Sequence, residues 1–267
     1  MNGVRDSFSQ LVVALEPWLD QVVIIGGWAN QLYRRHPAAL ELNYPPLMTL
    51  DTDIAVPLKL PVRGTDIRAR LLTHGFKEEF LGDDLPPAAH YHLGDEASGF
   101  YVEFLSPLIG GEYDRKGRRK ATAELAGIVS QRLRYVDLLL HHPWSIDFKS
   151  SGFAAVIQIA NPVTFVAQKV LIHEGRERDD RAKDILYIHD TLEVFGARLQ
   201  ELRELWRRIV VPQLRARNAS IVSNASQVLF GDLSDDIRRA ARISDQRTLS
   251  PESIREVCQY GFIQVFG

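Results

Sequence analysis

The chain has 267 residues, 45% of them apolar and 25% charged, which is ordinary composition for a folded globular protein. Its formal net charge of −2 gives no general attraction to nucleic acid or to an anionic membrane surface. The single cysteine, Cys258, excludes a disulfide framework and a cysteine-based zinc site. No signal-peptide pattern opens the chain, and no apolar stretch reaches the about 20 residues needed to cross a bilayer. We therefore expect a soluble, cytoplasmic protein that has no membrane partner.

Helical and strand-like patterns alternate in the first 160 residues. Apolar residues at helical spacing predict helices over 5–20, 28–35 and 65–74. Short β-branched or alternating runs predict strands over 21–25, 49–57, 76–81, 90–93, 100–106, 135–141 and 154–159. The glycine-rich and basic stretch 110–120 is predicted to be a flexible connector.

The pattern changes after Pro162, beyond which only helices are predicted. Their ranges are 162–174, 180–196, 198–217, 221–230, 234–243 and 250–260. The sequence therefore predicts an α/β (α+β) protein with a mixed sheet and flanking helices over residues 1–160. A helical C-terminal domain over 161–267 is expected to follow it.

Two aspartates, Asp51 and Asp53, lie on the strand predicted over 49–57. Alternate residues of a strand face the same side, so the two carboxylates point together and are about 7 Å apart. Two like charges on one face repel, and a divalent cation such as Mg²⁺ (or Mn²⁺) commonly offsets that repulsion. The alternative is a solvent-facing strand that simply carries two aspartates.

The glycine pair Gly26-Gly27 separates a predicted buried strand from a helix. A helix N-terminus presents free backbone N–H groups, and glycine allows a phosphate to approach them closely. The alternative interpretation is a tight turn without a ligand.

The whole arrangement is strand, Gly-Gly, helix, loop, and then a strand carrying Thr49, Asp51 and Asp53. It resembles the nucleotidyltransferase (DNA polymerase β-like) superfamily. The resemblance implies a third carboxylate on a later strand, which Glu103 supplies within an apolar run. Glu103 would then be the third metal ligand or the base that takes the proton from the attacking hydroxyl. An exposed strand glutamate is the alternative. It further implies two metals about 3.5–4 Å apart, one held by Asp51 and Asp53 at the triphosphate and one held by Asp53 and Glu103 at the acceptor hydroxyl.

Lys169 lies in an otherwise apolar predicted helix, where an ammonium needs a partner such as a phosphate, or must snorkel to solvent. Its surroundings resemble AbiEii-like toxin nucleotidyltransferases and related uncharacterised families, with matching residues at Pro162, Lys169, Arg176, Lys183, Asp184 and Asp190. This resemblance implies that Lys169, Lys183 and Asp184 join Gly26, Gly27 and Thr49 at the nucleotide. Arg176 and Lys183 alternatively form surface ion pairs with Glu177, Asp179 and Asp180.

The predicted activity is transfer of a nucleoside monophosphate from an NTP donor, ATP among them, to a hydroxyl of RNA, protein or a small molecule. A toxin-like role with a cognate antitoxin as partner is part of this prediction. The alternatives are a catalytically silent protein that binds nucleotide or a partner, and a metal-dependent phosphohydrolase. His90 and His92 share one face of a predicted strand, but no third ligand at zinc spacing accompanies them.

Overall fold

The computed structural model describes residues 2–94, 99–150, 152–244 and 246–267. The chain forms two compact units. One unit contains Met1–Ala29 and Thr49–Ala160, and the other contains Asn30–Met48 and Asn161–Gly267. The segment 30–48 thus belongs to the helical unit, although the sequence prediction places it in the first domain.

The first unit is built on one mixed sheet, which contains nine strands within the described residues. The strands are β1 (Val23–Ile24), β2 (Asp51–Ala55), β3 (Lys77–Leu81), β4 (Ala88–Leu93), β5 (Phe100–Pro107), β6 (Thr122–Leu125), β7 (Ile128–Leu133), β8 (Trp144–Ser150) and β9 (Phe153–Ile159). The helices that begin in this unit are α1 (Asn2–Ala14), α2 (Gly26–Tyr33), α3 (Ile67–Thr73) and α4 (Val136–Leu139).

The strand order is β3-β4-β5-β2-β1-β9-β8, with β7 also pairing with β5 and β6 pairing with β7. At the centre, β2 runs parallel to β5, and β4 runs antiparallel to β5. Burial alternates along β2 and along the first half of β5, so one face of this centre is closed and the other is partly open.

Aromatic rings fill the closed side of the sheet. The ring of Phe8 on α1 stacks on Trp28 with 3.9 Å between centroids, and it meets Phe148 of β8 edge to face at 5.6 Å. Phe8, Phe148 and Trp28 are all buried. Such aromatic contacts account for the strong apolar period of the first predicted helix.

The second unit is helical, with α5 (Pro162–Ile172), α6 (Arg178–Val194), α7 (Leu199–Leu205), α8 (Ala216–Ser223), α9 (Ala225–Val228), α10 (Asp235–Ala240) and α11 (Pro251–Phe266). Tyr33 meets Phe165 and Phe195 edge to face, with centroids 5.7 and 5.3 Å away. The backbone N–H of Leu40 donates to the Val194 carbonyl at 2.8 Å. These contacts join the segment 30–48 to α5 and α6.

The predicted fold class is confirmed, a mixed sheet with helices followed by a helical half. The strand predicted over 135–141 is wrong, because this stretch contains the short helix α4. Strands β6, β7 and β8 were not predicted. A short, mostly apolar stretch has the same appearance in a buried strand and in a single buried helical turn. Tyr135, which precedes α4, has a left-handed conformation, with φ of 66°.

The single helix predicted over 198–217 is also wrong. The chain there forms α7, a π-helical turn over Trp206–Val210, a 3-10 turn over Val211–Gln213, and then α8. Pro212 has no N–H to donate and its ring obstructs the preceding turn, which explains the interruption. No helix among the described residues has both the length and the apolar content to cross a membrane.

Candidate active site

Two adjacent strands place the predicted catalytic carboxylates on one face of the sheet. Asp53 of β2 lies directly opposite Glu103 of the parallel strand β5, and His90 of β4 lies opposite Glu103 on its other side. Asp51 is one strand period before Asp53 and pairs in register with Tyr101. The structure therefore brings Asp51, Asp53 and Glu103 together on the partly open face.

The pKa of the Tyr101 hydroxyl is affected by the negative charge of this face. Its pKa is raised to about 12, first by burial and then by the negative charges of Asp51, Glu103 and Asp53. All three carboxylates are thus close enough to oppose ionisation of one phenol. The Tyr101 hydroxyl consequently stays protonated across the physiological range and remains a hydrogen-bond donor.

Two histidines complete the same face, and the sequence prediction assigned them no role. His90 Nε2 lies 2.9 Å from Glu103 Oε1, and His92 Nε2 lies 2.8 Å from Glu79 Oε2. The signal in the sequence was their alternate spacing on one strand. Their carboxylate partners depend on the antiparallel register of β4, which the sequence does not reveal.

Gly26 provides the space into which the Asp53 side chain fits. It begins α2 with φ of +60°, and a Cβ added there would lie 2.0 Å from Asp53 Oδ2. The adjacent Ile25 N–H donates to the Asp53 backbone carbonyl at 3.0 Å. The glycine turn and the second aspartate of the pair are therefore in direct contact, next to the N-terminus of α2 and Gly27.

Gly26→Ala should reduce the proposed nucleotidyl transfer by at least about a hundredfold, because the new methyl group displaces the Asp53 carboxylate. It also places a Cβ at positive φ, which costs about 1–2 kcal/mol of unfolding free energy. Gly82→Ala is the matched control, since Gly82 has φ of +76° and nothing within 4 Å of the added Cβ. Turnover and urea unfolding are measured on both variants; equal activities would contradict a role for the Asp53 contact.

The donor set on this face suits a divalent cation. Carboxylate oxygens are the ligands that Mg²⁺ and Mn²⁺ prefer, and three of them lie on two adjacent strands. Within the described part of the chain, only His189, Asp190 and Glu193 bring one ligand atom each within 4.8 Å of one another. A cation shared by Asp51, Asp53 and Glu103 therefore requires rotation of at least one of these side chains.

In the helical unit, Lys169 and Asp184 form a buried ion pair, with Nζ 2.6 Å from Oδ1. Lys169 is 7% exposed, so it does not snorkel to solvent. Its ammonium also lies 5.3 Å from the ring centroids of Phe165 and Tyr187. This environment satisfies the charge of Lys169 inside the protein.

The other helical candidates surround this pair. Arg176 Nε lies 3.5 Å from Asp184 Oδ2, and its Nη2 lies 3.4 Å from Asp180, one of the surface partners considered from the sequence. Lys183 Nζ lies 5.8 Å from the Tyr187 ring centroid. The assignment of Lys169, Lys183 and Asp184 to the nucleotide stays a prediction, as does that of Thr49, which is buried just before β2.

A second buried ionic cluster of the helical unit consists of His189, Asp190, Glu193, Tyr44 and Arg247. Arg247 Nη2 lies 2.6 and 2.8 Å from the two Asp190 oxygens, and the guanidinium covers the Tyr44 ring at 4.1 Å. His189 Nδ1 lies 3.0 Å from Asp190, and the Tyr44 hydroxyl donates to Glu193. Because Arg247 already neutralises Asp190, we interpret this cluster as a structural network rather than a metal site.

The sheet is mixed, the Gly26 turn contacts Asp53, and Glu103 lies opposite Asp53 on the next strand. These features define an α/β protein with a cluster of three carboxylates on the partly open face of its sheet. The chain matches the family described as Nucleotidyltransferase over residues 8–211, and it belongs to that family. This membership confirms the resemblance to the nucleotidyltransferase superfamily, makes the protein a transferase, and implies an NTP substrate. No curated protein matches the chain.

Proposed function

We propose that the protein transfers a nucleoside monophosphate from an NTP, ATP among the donors, to an acceptor hydroxyl in a reaction that depends on Mg²⁺ or Mn²⁺. One observation carries this proposal: Asp53 and Glu103 lie in register on adjacent parallel strands, and Asp53 contacts the Gly26 turn. A phosphate at the N-terminus of α2 is consequently next to a carboxylate pair that suits a divalent cation.

In this proposal, Asp51, Asp53 and Glu103 hold the cation, and the backbone N–H groups at Gly26 and Gly27 bind phosphate oxygens. The cation, when bound, supplies the positive charge that neutralises the triphosphate. With Glu103 in the role of ligand, the proton of the acceptor hydroxyl passes to water, because a bound cation would favour the deprotonated oxygen. The hydroxyl oxygen then forms a bond to the α-phosphorus as the bond to the β-phosphate oxygen breaks, and pyrophosphate leaves.

The acceptor class is the open part of the proposal, with RNA, a protein side chain and a small molecule as candidates. The toxin-like role with a cognate antitoxin is proposed only from the resemblance of the motif at Pro162, Lys169, Lys183 and Asp184 to AbiEii-like toxins. In the structure this motif forms the start of α5 and the buried Lys169–Asp184 pair.

The proposal is tested by incubating the protein with each of the four α-³²P-labelled NTPs, with Mg²⁺ or Mn²⁺, and with total RNA, the protein itself or an aminoglycoside. We expect one acceptor to become labelled, pyrophosphate to be released in equal amount, and EDTA to stop both. NTP breakdown without a labelled acceptor would indicate a phosphohydrolase. Calorimetric NTP binding without turnover would indicate a catalytically silent protein.

A further inference from the structure

His90, Glu103 and Asp53 form a continuous row across β4, β5 and β2. His90 Nε2 lies 2.9 Å from Glu103 Oε1, and the side chains of both residues are mostly shielded, at 16% and 21% exposure. The imidazole is therefore within hydrogen-bonding distance of one oxygen of the third carboxylate, in surroundings where water competes weakly for that contact.

The orientation of the His90 ring is itself restrained. It stacks on Tyr101, with 5.2 Å between centroids and 17° between ring planes. Tyr101 is in register with Asp51, so the stack between β4 and β5 lies directly beside the strands β2 and β5 that carry the carboxylates. Because the imidazole is held in place, it also limits the movement of the Glu103 oxygen that it contacts. Fewer rotamers of the Glu103 side chain are then accessible.

A carboxylate that binds a cation has two oxygens, and a hydrogen bond to one of them leaves the other for the cation. Partners that orient a ligating side chain in this manner typically change metal affinity or activity by about 10–100-fold when removed. In this sheet a shared cation requires rotation of at least one of the three carboxylates. If Glu103 is held in place, the side chains that rotate are those of Asp51 and Asp53.

We infer that His90 is a positioning residue, which holds Glu103 Oε1 and so presents Oε2 to the divalent cation. This inference rests on the proposed function, because Glu103 has a cation to bind only if the carboxylate site is a metal site. It adds a residue from β4 to a site whose predicted ligands come from β2 and β5 alone.

The test measures Mn²⁺ binding to the full chain by electron paramagnetic resonance, which needs neither nucleotide nor acceptor. His90→Ala should weaken Mn²⁺ binding about 10–100-fold. His90→Gln keeps an N–H donor near Glu103 and should remain within about threefold of the wild type. His92→Ala is the matched control, because His92 lies on the same face of the same strand but contacts Glu79 instead. Thermal unfolding is recorded for all three variants.

Equal Mn²⁺ affinity of His90→Ala and wild type, or an equal loss in His92→Ala, would overturn the positioning role. Mn²⁺ binding by the wild type and its loss in Asp53→Asn would show that the proposed metal site is intact. In that case, an unchanged affinity of His90→Ala would remove only the role of His90. A wild-type protein that binds no Mn²⁺ would instead overturn the metal site and the inference together. In active preparations, His90→Ala should lower kcat and leave the KM for NTP nearly unchanged, since Glu103 acts at the acceptor side.

Discussion

Asp53→Asn is expected to reduce nucleotidyl transfer by about a thousandfold or more, the largest effect on activity that the structure predicts. Asp53 is the carboxylate that faces both Glu103 and the Gly26 turn. A bound cation contributes several kcal/mol to the transition state of phosphoryl transfer, and each 1.36 kcal/mol corresponds to a factor of ten in rate. The unfolding free energy should not fall by more than about 1 kcal/mol, because the substitution removes one of three mutually repelling charges.

The measurement is single-turnover transfer from the preferred labelled NTP, together with urea unfolding of the same samples. Asp147→Asn is the matched control, because Asp147 is an exposed aspartate on β8 of the same sheet. It should leave both quantities unchanged. Undiminished transfer by the double variant Asp51→Asn/Asp53→Asn would refute the assignment of these residues as catalytic.

Arg247→Met is expected to lower the free energy of unfolding by about 3–5 kcal/mol, the largest effect on stability. The side chains of Arg247 and Asp190 are 7% and 1% exposed, and both oxygens of Asp190 lie within 2.8 Å of Arg247 Nη2. Methionine preserves much of the volume over the Tyr44 ring but leaves the buried carboxylate without its cation. The penalty is the cost of that unpaired charge.

Urea unfolding at pH 7 measures this loss. Arg242→Met is the control, since Arg242 is exposed just after α10 and should change stability by no more than about 0.5 kcal/mol. Adding Asp190→Asn to Arg247→Met should recover part of the loss, because a neutral amide is less costly to bury than an unpaired carboxylate. Equal losses in the Arg247 and Arg242 variants would contradict the importance of the buried pair.

The central strands were predictable because their patterns are local. Asp51 and Asp53 share a face through the period of two, and the apolar run around Glu103 indicates a strand with one buried face. The short helix α4 and the four-residue strand β6 were missed, since runs this short carry too few residues to define a period. Strands β7 and β8 have six and seven residues and alternate in burial, so their length does not explain why the prediction missed them. Strand β6 pairs with its neighbour β7 and β8 pairs with its neighbour β9, while β7 also pairs with the more distant β5.

The carboxylates of the candidate site could be predicted from the sequence, but the contacts that they make could not. His90 meets Glu103 only because β4 pairs with β5 in one particular register, and Gly26 meets Asp53 only because β1 lies beside β2. Arg247 and Asp190 are 57 residues apart in the chain, and nothing in the local pattern of either indicates the other. Such contacts arise from tertiary packing and not from local propensity.

The membership of residues 30–48 in the helical unit has a consequence for dissecting this protein. A fragment ending at Ala160 would retain Tyr33 and Leu40 but lack Phe165, Phe195 and Val194, which contact them in the intact chain. Tyr33, the last residue of α2, would then lose its two aromatic partners, and the Leu40 N–H would be left to water instead of a backbone carbonyl. A single cut in the chain consequently does not separate the two units, because residues 30–48 of the helical unit lie between two parts of the sheet unit in the sequence.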